Sequence, residues 1–499
     1  MDSAKKKVLL TLLSSLTVQL CNIFVSLVIP KVIISIYGSD TNGIVAAARQ
    51  FSLYLSLMET SITAATCYKY IEYKKNGELD LISDLFETIG NFYKKVGIVI
   101  SVIAIFIAIF YSVTSKSELN VITIILLFIL YESIYVISYL VYYKYNYVLF
   151  ADGKQYFIAF GSVASIFLTT ISQCFLAYKR FNIVFLISCG VFIDVFRLEI
   201  NRRKVLHDYP FIQHRKSKID NGLLKQKWDS FIMSISDSLK SMVPILCISI
   251  GYGSQYVSVF SVYQTVMHLG TSIITMCSNG LLPVLGLKFT DGDEMASKSF
   301  RKISVIVLTV GTVLTTCFSG MILNFINLYI GNKSDISYSY PILALLLIAD
   351  TWLLMARAPY DLLIKAKGRI RELRNGCIVE ISITVLVCII MSLSKNFELI
   401  IIGIAISSFY RVLRMLLFCV NELKIIQRKV ALVDFFSWLI IALFMGGVSF
   451  RLLPSTVGII EFIKYSSIEL FISVLFVVLL LGIFYRRLFS VKDFRKSTE

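Results

Sequence analysis

Five basic side chains of this 499-residue chain lie within apolar stretches long enough to cross a membrane and are not counted with a neighbouring loop. A charge at the centre of a bilayer costs about 2.5–3.5 kcal/mol on insertion scales, so each must meet water, a counter-ion or the membrane surface. Arginine binds phosphate with forked hydrogen bonds, and lysine binds it as a point charge. The five cations therefore predict a hydrated central cavity that suits an anionic ligand such as a phosphate group. They are Arg49, Lys240, Arg357, Arg411 and Arg414.

Three carboxylates within the same stretches are candidates for binding a coupling cation, Na⁺ or H⁺. They are Glu59, Asp237 and Asp350. Structural alternatives stay open for several of these charges. Asp237 and Lys240 are three residues apart on one helix face, and Arg357 and Asp361 are four residues apart. Each pair could therefore also be an ion pair whose only role is to neutralise two buried charges. Arg49 and Arg414 are near predicted span ends, where a long side chain reaches the surface.

Catalytic and metal-binding patterns do not emerge from the sequence. The chain has only three histidines, and its ten cysteines show no CxxC spacing, so we expect the cysteines to be small apolar fillers. No paired-carboxylate, nucleotide or phosphate-loop motif stands out. The sequence therefore predicts no catalytic residue, no metal and no cofactor, and favours a transporter over an enzyme.

Fourteen apolar stretches are predicted to position these charges as transmembrane helices. Only 16% of the residues are charged and 57% are hydrophobic, whereas a soluble protein has about 25% charged residues. The fold class is therefore all-α and polytopic. The predicted spans are 8–29, 44–68, 96–114, 119–143, 156–178, 181–200, 231–251, 255–285, 303–330, 338–364, 376–394, 397–420, 431–450 and 463–485.

The basic residues between the spans alternate in number from one side to the other. Of the 49 lysines and arginines, 36 are counted with the segments on one side of the membrane and 8 with the segments on the other side. The remaining five are the embedded cations named above. By the positive-inside rule the rich side is cytoplasmic. This predicts a multi-pass protein of the cytoplasmic (inner) membrane with both termini inside. The net charge of +17 then reflects attraction to anionic lipid rather than to nucleic acid.

A basic loop of about thirty residues, too short for a catalytic domain, separates the sixth span from the seventh. It predicts a six-helix bundle over 1–204, an inter-lobe loop over 205–230, a second six-helix bundle over 231–423, and an appended helix pair with a basic tail over 424–499. Tyr37-Gly38-Ser39-Asp40 and Tyr252-Gly253-Ser254-Gln255 follow the first span of each half. This weak repeat favours two parallel halves with a substrate site at their interface.

Several short motifs resemble bacterial polysaccharide repeat-unit flippases, the O-antigen and capsule exporters of the multidrug/oligosaccharidyl-lipid/polysaccharide superfamily. Similarity is best over residues 8–290. The motifs are Tyr37–Ile44, Gln50–Glu59, Tyr68-Lys69-Tyr70, Phe92–Lys95, Tyr142-Tyr143-Lys144, Leu149–Tyr156 and Asp208-Tyr209-Pro210.

The resemblance implies a V-shaped, two-bundle transporter that moves an undecaprenyl-diphosphate-linked oligosaccharide to the outer leaflet by alternating access. It also implies ion coupling, with polysaccharide polymerase and export machinery as further partners. Thr60 departs from the glycine usual after the glutamate of this motif. Relatives that flip the peptidoglycan precursor have arginines in the first helix, and this span has none, which counts against that substrate. The alternatives are a drug/cation antiporter of the same superfamily and a membrane enzyme that polymerises or modifies glycans.

Overall fold

The computed structural model of the protein describes residues 2–55, 67, 69–212, 228–290, 293–331, 334–367, 369–452 and 458–485. Side chains are described for these residues except 2–9, 11–12, 228–238, 275–290, 293–296, 366 and 370–371. All regular secondary structure in this part of the chain is helical, in fourteen α-helices, one π-helical turn and two short 3₁₀ turns. The prediction of an all-α polytopic fold is confirmed to this extent.

The helices follow one another along the chain in the order that the hydropathy predicts. The first seven are α1 Asp2–Leu55, α2 Leu79–Thr114, α3 Val121–Ile137, α4 Tyr143–Ala151, α5 Gln155–Tyr178, α6 Ile183–Asp208 and α7 Trp228–Gly251. The last seven are α8 Ser254–Thr290, α9 Asp293–Ile330, α10 Pro341–Ala366, α11 Arg374–Ser392, α12 Ile401–Asn421, α13 Arg428–Leu452 and α14 Ile459–Phe484. The π turn Ser138–Tyr142 joins α3 to α4.

Helix α1 contains the first predicted span and the beginning of the second. Its apolar part, Leu13–Leu55, has 43 residues, which at 1.5 Å per residue is about twice the roughly 30 Å thickness of a bilayer core. Gly38 breaks the helix with a φ of 88°, in the left-handed region that glycine enters without steric cost. The chain therefore changes direction at Gly38, between the first two predicted spans.

Eleven helical segments of the described chain are long and apolar enough to cross a membrane, which supports a multi-pass membrane protein. Helix α6 is not among them because it contains Asp194, Arg197 and Glu199. In helix α7 the described side chains begin at Leu239, and the segment Leu239–Gly251 is apolar overall but shorter than a membrane span. The count of fourteen spans stays a prediction, and so do the sidedness and the inner-membrane location.

The first compact unit comprises Met1–Ser261 and Lys333–Ile336. Helix α1 packs against α3 and α5, α2 packs against α3, and α5 packs against α6. Its core is rich in aromatic side chains, with the rings of Tyr93, Tyr139 and Tyr143 4.7–5.9 Å apart in edge-on or tilted pairs. These helices form a tightly packed scaffold for the polar groups of the unit.

The second unit comprises Val262–Asn332 and Ser337–Glu499. Helix α9 is its central element and packs against α10, α13 and α14. Helix α12 packs against both α10 and α11, so these three helices share an interior. That interior contains three of the eight predicted site residues, Arg357, Arg411 and Asp350. The domain boundaries at 204, 230 and 423 stay predictions.

The two halves of the sequence repeat adopt matching conformations. Gly38 and Gly253 both have positive φ, at 88° and 113°, and each lies at a junction between helical segments. The serine that follows each glycine donates its hydroxyl to a carboxylate: Ser39 to Asp335 and Ser254 to Asp40. The repeated tetrapeptide is therefore a repeated turn.

Candidate functional site

Two predicted arginines of the second unit converge on one buried carboxylate. The Arg357 guanidinium on α10 lies 3.8 Å from Glu380 Oε1 on α11, and Arg411 Nε on α12 lies 3.5 Å from Glu380 Oε2. Glu380 and Arg411 are 1% and 2% exposed, and Arg357 is partly exposed. The three side chains form the Arg357–Glu380–Arg411 network.

The network has a net charge of +1. In a membrane interior one carboxylate between two guanidiniums lowers the cost of burial but leaves one positive charge uncompensated within the network. The sequence left open a pair between Arg357 and Asp361. Instead, Asp361 pairs with Lys365 at 2.6 Å, and Arg357 faces Glu380. The geometry suits an anionic group near the partly exposed Arg357.

Space for the Arg411 guanidinium depends on a glycine. A Cβ built on Gly376 would lie 2.8 Å from Arg411 Nη1, closer than real Cβ contacts. The same Nη1 donates a hydrogen bond to the Leu373 carbonyl at 3.2 Å. The start of α11 thus holds Arg411 in place. Arg414, one turn further along α12, is exposed, with its Cγ 3.5 Å from the same built Cβ.

Asp350 lies on the same interior, two turns before Arg357 on α10. It is 7% exposed, and its carboxylate accepts a hydrogen bond from Ser408 Oγ of α12. Ser408 precedes Arg411 by three residues, so both lie on one face of α12. A buried carboxylate and the Arg357–Glu380–Arg411 network therefore follow one another along the packed α10–α12 pair.

The other predicted residues belong to the first unit or lie outside the described part of the chain. Lys240 of α7 is 5% exposed, and Arg49 of α1 is exposed. Glu59 lies outside the described residues, and so does the side chain of Asp237. Two of the five cations thus share one interior through Glu380. A joint site for all five, and ion binding at the three carboxylates, stay predictions.

The embedded charges outside the predicted site residues include Glu380, Arg197 and Lys144. Glu380 lies in the span predicted for 376–394, but the sequence does not show which carboxylate meets an arginine. Arg197 lies in the span predicted for 181–200, three residues after Asp194, and pairs with it at 3.3 Å. That spacing is the signal by which this pair could have been recognised.

Lys144 is the third. It follows the predicted span 119–143 by one residue and reads as a loop lysine. The π turn and α4 instead continue the helix, and Lys144 is 9% exposed. Its ammonium lies 3.6 Å from Glu87 and 4.6 Å from the centre of the Phe86 ring. A Cβ on Gly90 would lie 2.9 Å from Lys144 Cδ, so this glycine makes room for the side chain.

An apolar groove lies in the second unit between α9, α13 and α14. Its volume is about 380 Å³, and most of its lining side chains are apolar, including Phe444, Val448 and Phe476. The polar exceptions include Glu469, which accepts a hydrogen bond from Ser449. Its dimensions and lining suit a hydrocarbon chain.

Comparison with solved structures shows that the fold is similar to the folds of membrane transporters. A structure described as lipid II flippase MurJ in an inward closed conformation superposes with a TM-score of 0.70 at 14% identity, over 96% of this chain and 99% of MurJ. The chain has the fold of the MurJ and MATE transporters. No protein-family model matches the sequence, and no curated protein matches it.

Two MATE transporters match over less of the chain. An inward-facing multidrug resistance transporter of the MOP superfamily gives a TM-score of 0.61 at 13% identity, over 81% of this chain and 94% of its own. A point mutant of the Vibrio cholerae MATE transporter VcmN gives 0.57 at 14% identity, over 85% and 98%. At these identities the likeness describes the fold, and the transported molecule has to be argued from the site.

Proposed function

We propose that this protein is a flippase that moves an undecaprenyl-diphosphate-linked oligosaccharide repeat unit from the cytoplasmic to the outer leaflet. The observation that carries the proposal is the Arg357–Glu380–Arg411 network, a buried group of net positive charge within the fold of a lipid flippase. In alternating access, a site of this kind holds an anionic headgroup while the transporter changes from being open to one side of the membrane to being open to the other.

The roles of the cations follow from their exposure. Arg357 is the partly exposed member of the network, so it is the guanidinium that we assign to the diphosphate. Arg411 is enclosed between Glu380 and the Leu373 carbonyl, so it sets the position and charge of the network. Lys240, Arg49 and Arg414 complete the proposed set as further contacts to the headgroup.

Chain coverage favours a lipid flippase over the second candidate, a drug/cation antiporter. The two MATE structures are matched over 94–98% of their own length, yet they leave 15–19% of this chain unmatched. That remainder is long enough for two transmembrane helices. MurJ, described as a lipid II flippase, matches 96% of this chain. A cavity with an excess of cations would also repel the cationic drugs of an antiporter.

The apolar groove supports a substrate that has a long hydrocarbon chain. A polyprenyl chain is uncharged, and its burial against Phe444, Val448 and Phe476 is favourable because it replaces loose lipid contacts by packed ones. We assign the polyprenyl chain to this groove and the diphosphate to the cations. The oligosaccharide then crosses through water.

Asp350 is the candidate coupling carboxylate that the structure describes. It is buried and accepts a hydrogen bond from Ser408, whereas Glu380 faces the guanidiniums of Arg357 and Arg411. We therefore assign Na⁺ or H⁺ coupling to Asp350, together with Glu59 and Asp237.

A deletion strain tests the proposed function. Loss of the protein should cause lipid-linked single repeat units to accumulate in the cytoplasmic leaflet, as measured by leaflet-selective chemical labelling of the glycan. Accumulation in the outer leaflet would indicate a polymerase instead. Unchanged repeat-unit levels together with increased sensitivity to cationic drugs would indicate the antiporter.

Single variants test the site. Arg357→Ala and Lys240→Ala should each reduce glycan export at unchanged protein abundance, because each removes a headgroup cation. Arg369→Ala is the matched control: Arg369 is exposed and pairs with Glu372 at 3.1 Å. Wild-type export in both test variants would remove these residues from the mechanism.

A further inference from the structure

Helix α14 is strongly apolar, yet it buries a carboxyl group. Its buried residues are Glu469, Ser473 and Val477, which are spaced four residues apart and therefore lie on one face. Many of its apolar side chains, Phe471 and Leu475 among them, are exposed, which suits contact with lipid. Glu469 is 7% exposed. An ionisable side chain within a membrane helix is costly, so its presence there points to a function.

Glu469 lines the apolar groove between α9, α13 and α14. Its carboxyl group accepts a hydrogen bond at Oε1 from Ser449 Oγ of α13. Its Oε2 atom is buried and has no hydrogen-bond partner among the described residues. Thr316 and Ser473 are further buried polar side chains of the lining. The groove therefore combines an apolar lining with a carboxyl oxygen whose hydrogen-bonding capacity is unmet.

No cation within the described lining of the groove offsets a charge on Glu469, because that lining contains no lysine, arginine or histidine. The titratable groups that face it are the Cys317 thiol of α9, which interacts with it electrostatically, and the Tyr465 phenol of α14. The nearest basic residues along α13 and α14 are Arg451 and Lys464, and both are exposed. An unpaired carboxylate in apolar surroundings is so costly that such a group takes up a proton instead.

The protonation state of Glu469 decides what the groove can hold. In the neutral form its carboxyl O–H can donate to a neighbouring hydroxyl, and a hydrocarbon chain can fill the groove without enclosing a charge. In the ionised form the carboxylate needs water, and that water occupies the space of the chain. Proton binding and hydrocarbon binding are therefore linked, and each favours the other.

We propose that the apolar groove admits the polyprenyl chain of the substrate while Glu469 is protonated and excludes it while Glu469 is ionised. The proton comes from water and returns to water, so no other reactant takes part. The inference rests on the proposed function, because it takes the chain to be that of a lipid-linked substrate. Glu469 is then a proton-dependent site separate from the headgroup cations and from Asp350.

Photo-cross-linking of the full-length protein in phosphatidylcholine proteoliposomes tests this proton dependence. The probe is a polyprenol that carries a benzophenone; it is uncharged, so the probe itself does not titrate. Mass spectrometry of the labelled α13 and α14 peptides measures occupancy of the groove. From about pH 5 to about pH 9, labelling of the wild type should fall by about tenfold as Glu469 ionises. In Glu469→Gln, which is neutral at every pH, labelling should stay at the low-pH level.

Glu461→Gln is the matched control, because Glu461 is exposed on the same helix and is not among the residues that line the groove. It should keep the pH dependence of the wild type. Glu469→Leu is a second variant should Glu469→Gln fail to fold, and its labelling should also be independent of pH. No fall in the wild type, or the same fall in the Glu469 variants, would overturn the role of Glu469.

A phosphatidylcholine probe with a benzophenone on its acyl chain separates the two sources of hydrocarbon. Its labelling of the groove should be weaker than that of the polyprenol probe at low pH. Equal, pH-dependent labelling by both probes would overturn the polyprenyl chain as the occupant and leave the proton dependence in place. The measurement uses purified protein and no glycan, so failure of the flippase assignment in the deletion strain is a separate result.

Discussion

Glu380 is the residue on which the buried charges of the second unit depend. It is the carboxylate that both Arg357 and Arg411 approach, and it is 1% exposed. Removal of one partner from a buried ionic group leaves a desolvated charge, which costs far more than the loss of a surface pair.

We therefore expect Glu380→Gln to lower the free energy of unfolding by about 3–5 kcal/mol. Denaturant titration of the purified protein measures this. Glu372→Gln, which breaks an exposed pair with Arg369, should cost below about 1 kcal/mol. The double variant Glu380→Leu/Arg411→Met should recover much of the loss. Equal effects of the two single variants would show that the network contributes no more than a surface pair.

Gly376 offers a way to move Arg411 without removing its charge. In Gly376→Ala the new Cβ would displace the Arg411 guanidinium, which is the flexible end of its side chain, so folding should survive. We expect glycan export to fall severalfold at normal abundance. Gly447→Ala is the control, because no atom lies within 4 Å of its built Cβ. Full export in Gly376→Ala would show that the position of Arg411 is unimportant for transport.

At the scale of elements, the second half of α1 and the start of α8 are in close contact. Asn42 Nδ2 donates to Ser258 Oγ at 2.6 Å, and a Cβ on Gly43 would overlap the Ser254 carbonyl. Asp40 reinforces the contact by accepting hydrogen bonds from Ser254 and from Ser117, the latter at 2.7 Å. Any opening between these two helices has to separate this contact.

A disulfide between Asn42→Cys and Ser258→Cys should therefore block export, and reductant should restore it, because the bond prevents the two helices from separating. Mass spectrometry of the linked peptides identifies the bond among the ten native cysteines. Each single cysteine variant is a control and should export normally. Normal export by the quantitatively cross-linked protein would show that α1 and α8 stay together throughout the cycle.

A second element-scale feature joins three turns of the first unit. Lys154 pairs with Asp208 at the end of α6 at 3.0 Å, and Tyr209 donates to Asp152 at 2.6 Å. Lys74 also pairs with Asp152. Burial by itself would raise the pKa of Asp152, but the hydrogen bonds from Lys74 and Tyr209 and the charge of Lys154 outweigh it and lower the pKa.

Hydrogen bonds from Lys154 and Lys204 hold the pKa of Asp208 well below its usual value. A lowered folded-state pKa gives stability that is present above the unfolded pKa of about 3.9 and is lost as the pH falls below it. We expect the thermal unfolding midpoint to fall as the pH is lowered from about 4 to about 2, and to fall less in Asp208→Asn. Glu372→Gln is the control. An identical pH profile for the wild type and Asp208→Asn would contradict this assignment.

At the scale of the whole molecule, the charge pattern makes a prediction about sidedness that the fold leaves open. His207 at the end of α6 and Lys395 between α11 and α12 are both exposed and lie on opposite predicted sides. A cysteine in place of His207 should react with an impermeant maleimide only in inverted vesicles, and one in place of Lys395 only in intact cells. The parent protein reports background labelling. The reverse pattern would invert the topology.

The sequence by itself determined that this is an all-α polytopic membrane protein, because hydropathy and charge are properties of each local segment of the chain. Helix-length apolar runs predict membrane helices whatever their partners, and the repeat Tyr-Gly-Ser predicts the turns at Gly38 and Gly253. The same local information shows that Arg357 and Arg411 are embedded. It also indicates lysine-rich segments such as the one that contains Lys424, since a basic residue outside an apolar run is visible without a structure.

Only the tertiary structure decided which charges meet. Arg357, Glu380 and Arg411 lie on three helices, and no helical spacing relates them, so their convergence depends on how α10, α11 and α12 pack. The local spacing left open a pair between Arg357 and Asp361, whereas in the structure Asp361 pairs with Lys365. Lys144 lies in the helical interior because a π turn, which hydropathy does not reveal, continues the helix beyond the predicted span. Lys298 and Arg428 line one pocket although they belong to separate segments of the chain. Helix packing creates such contacts between residues that are remote in the chain.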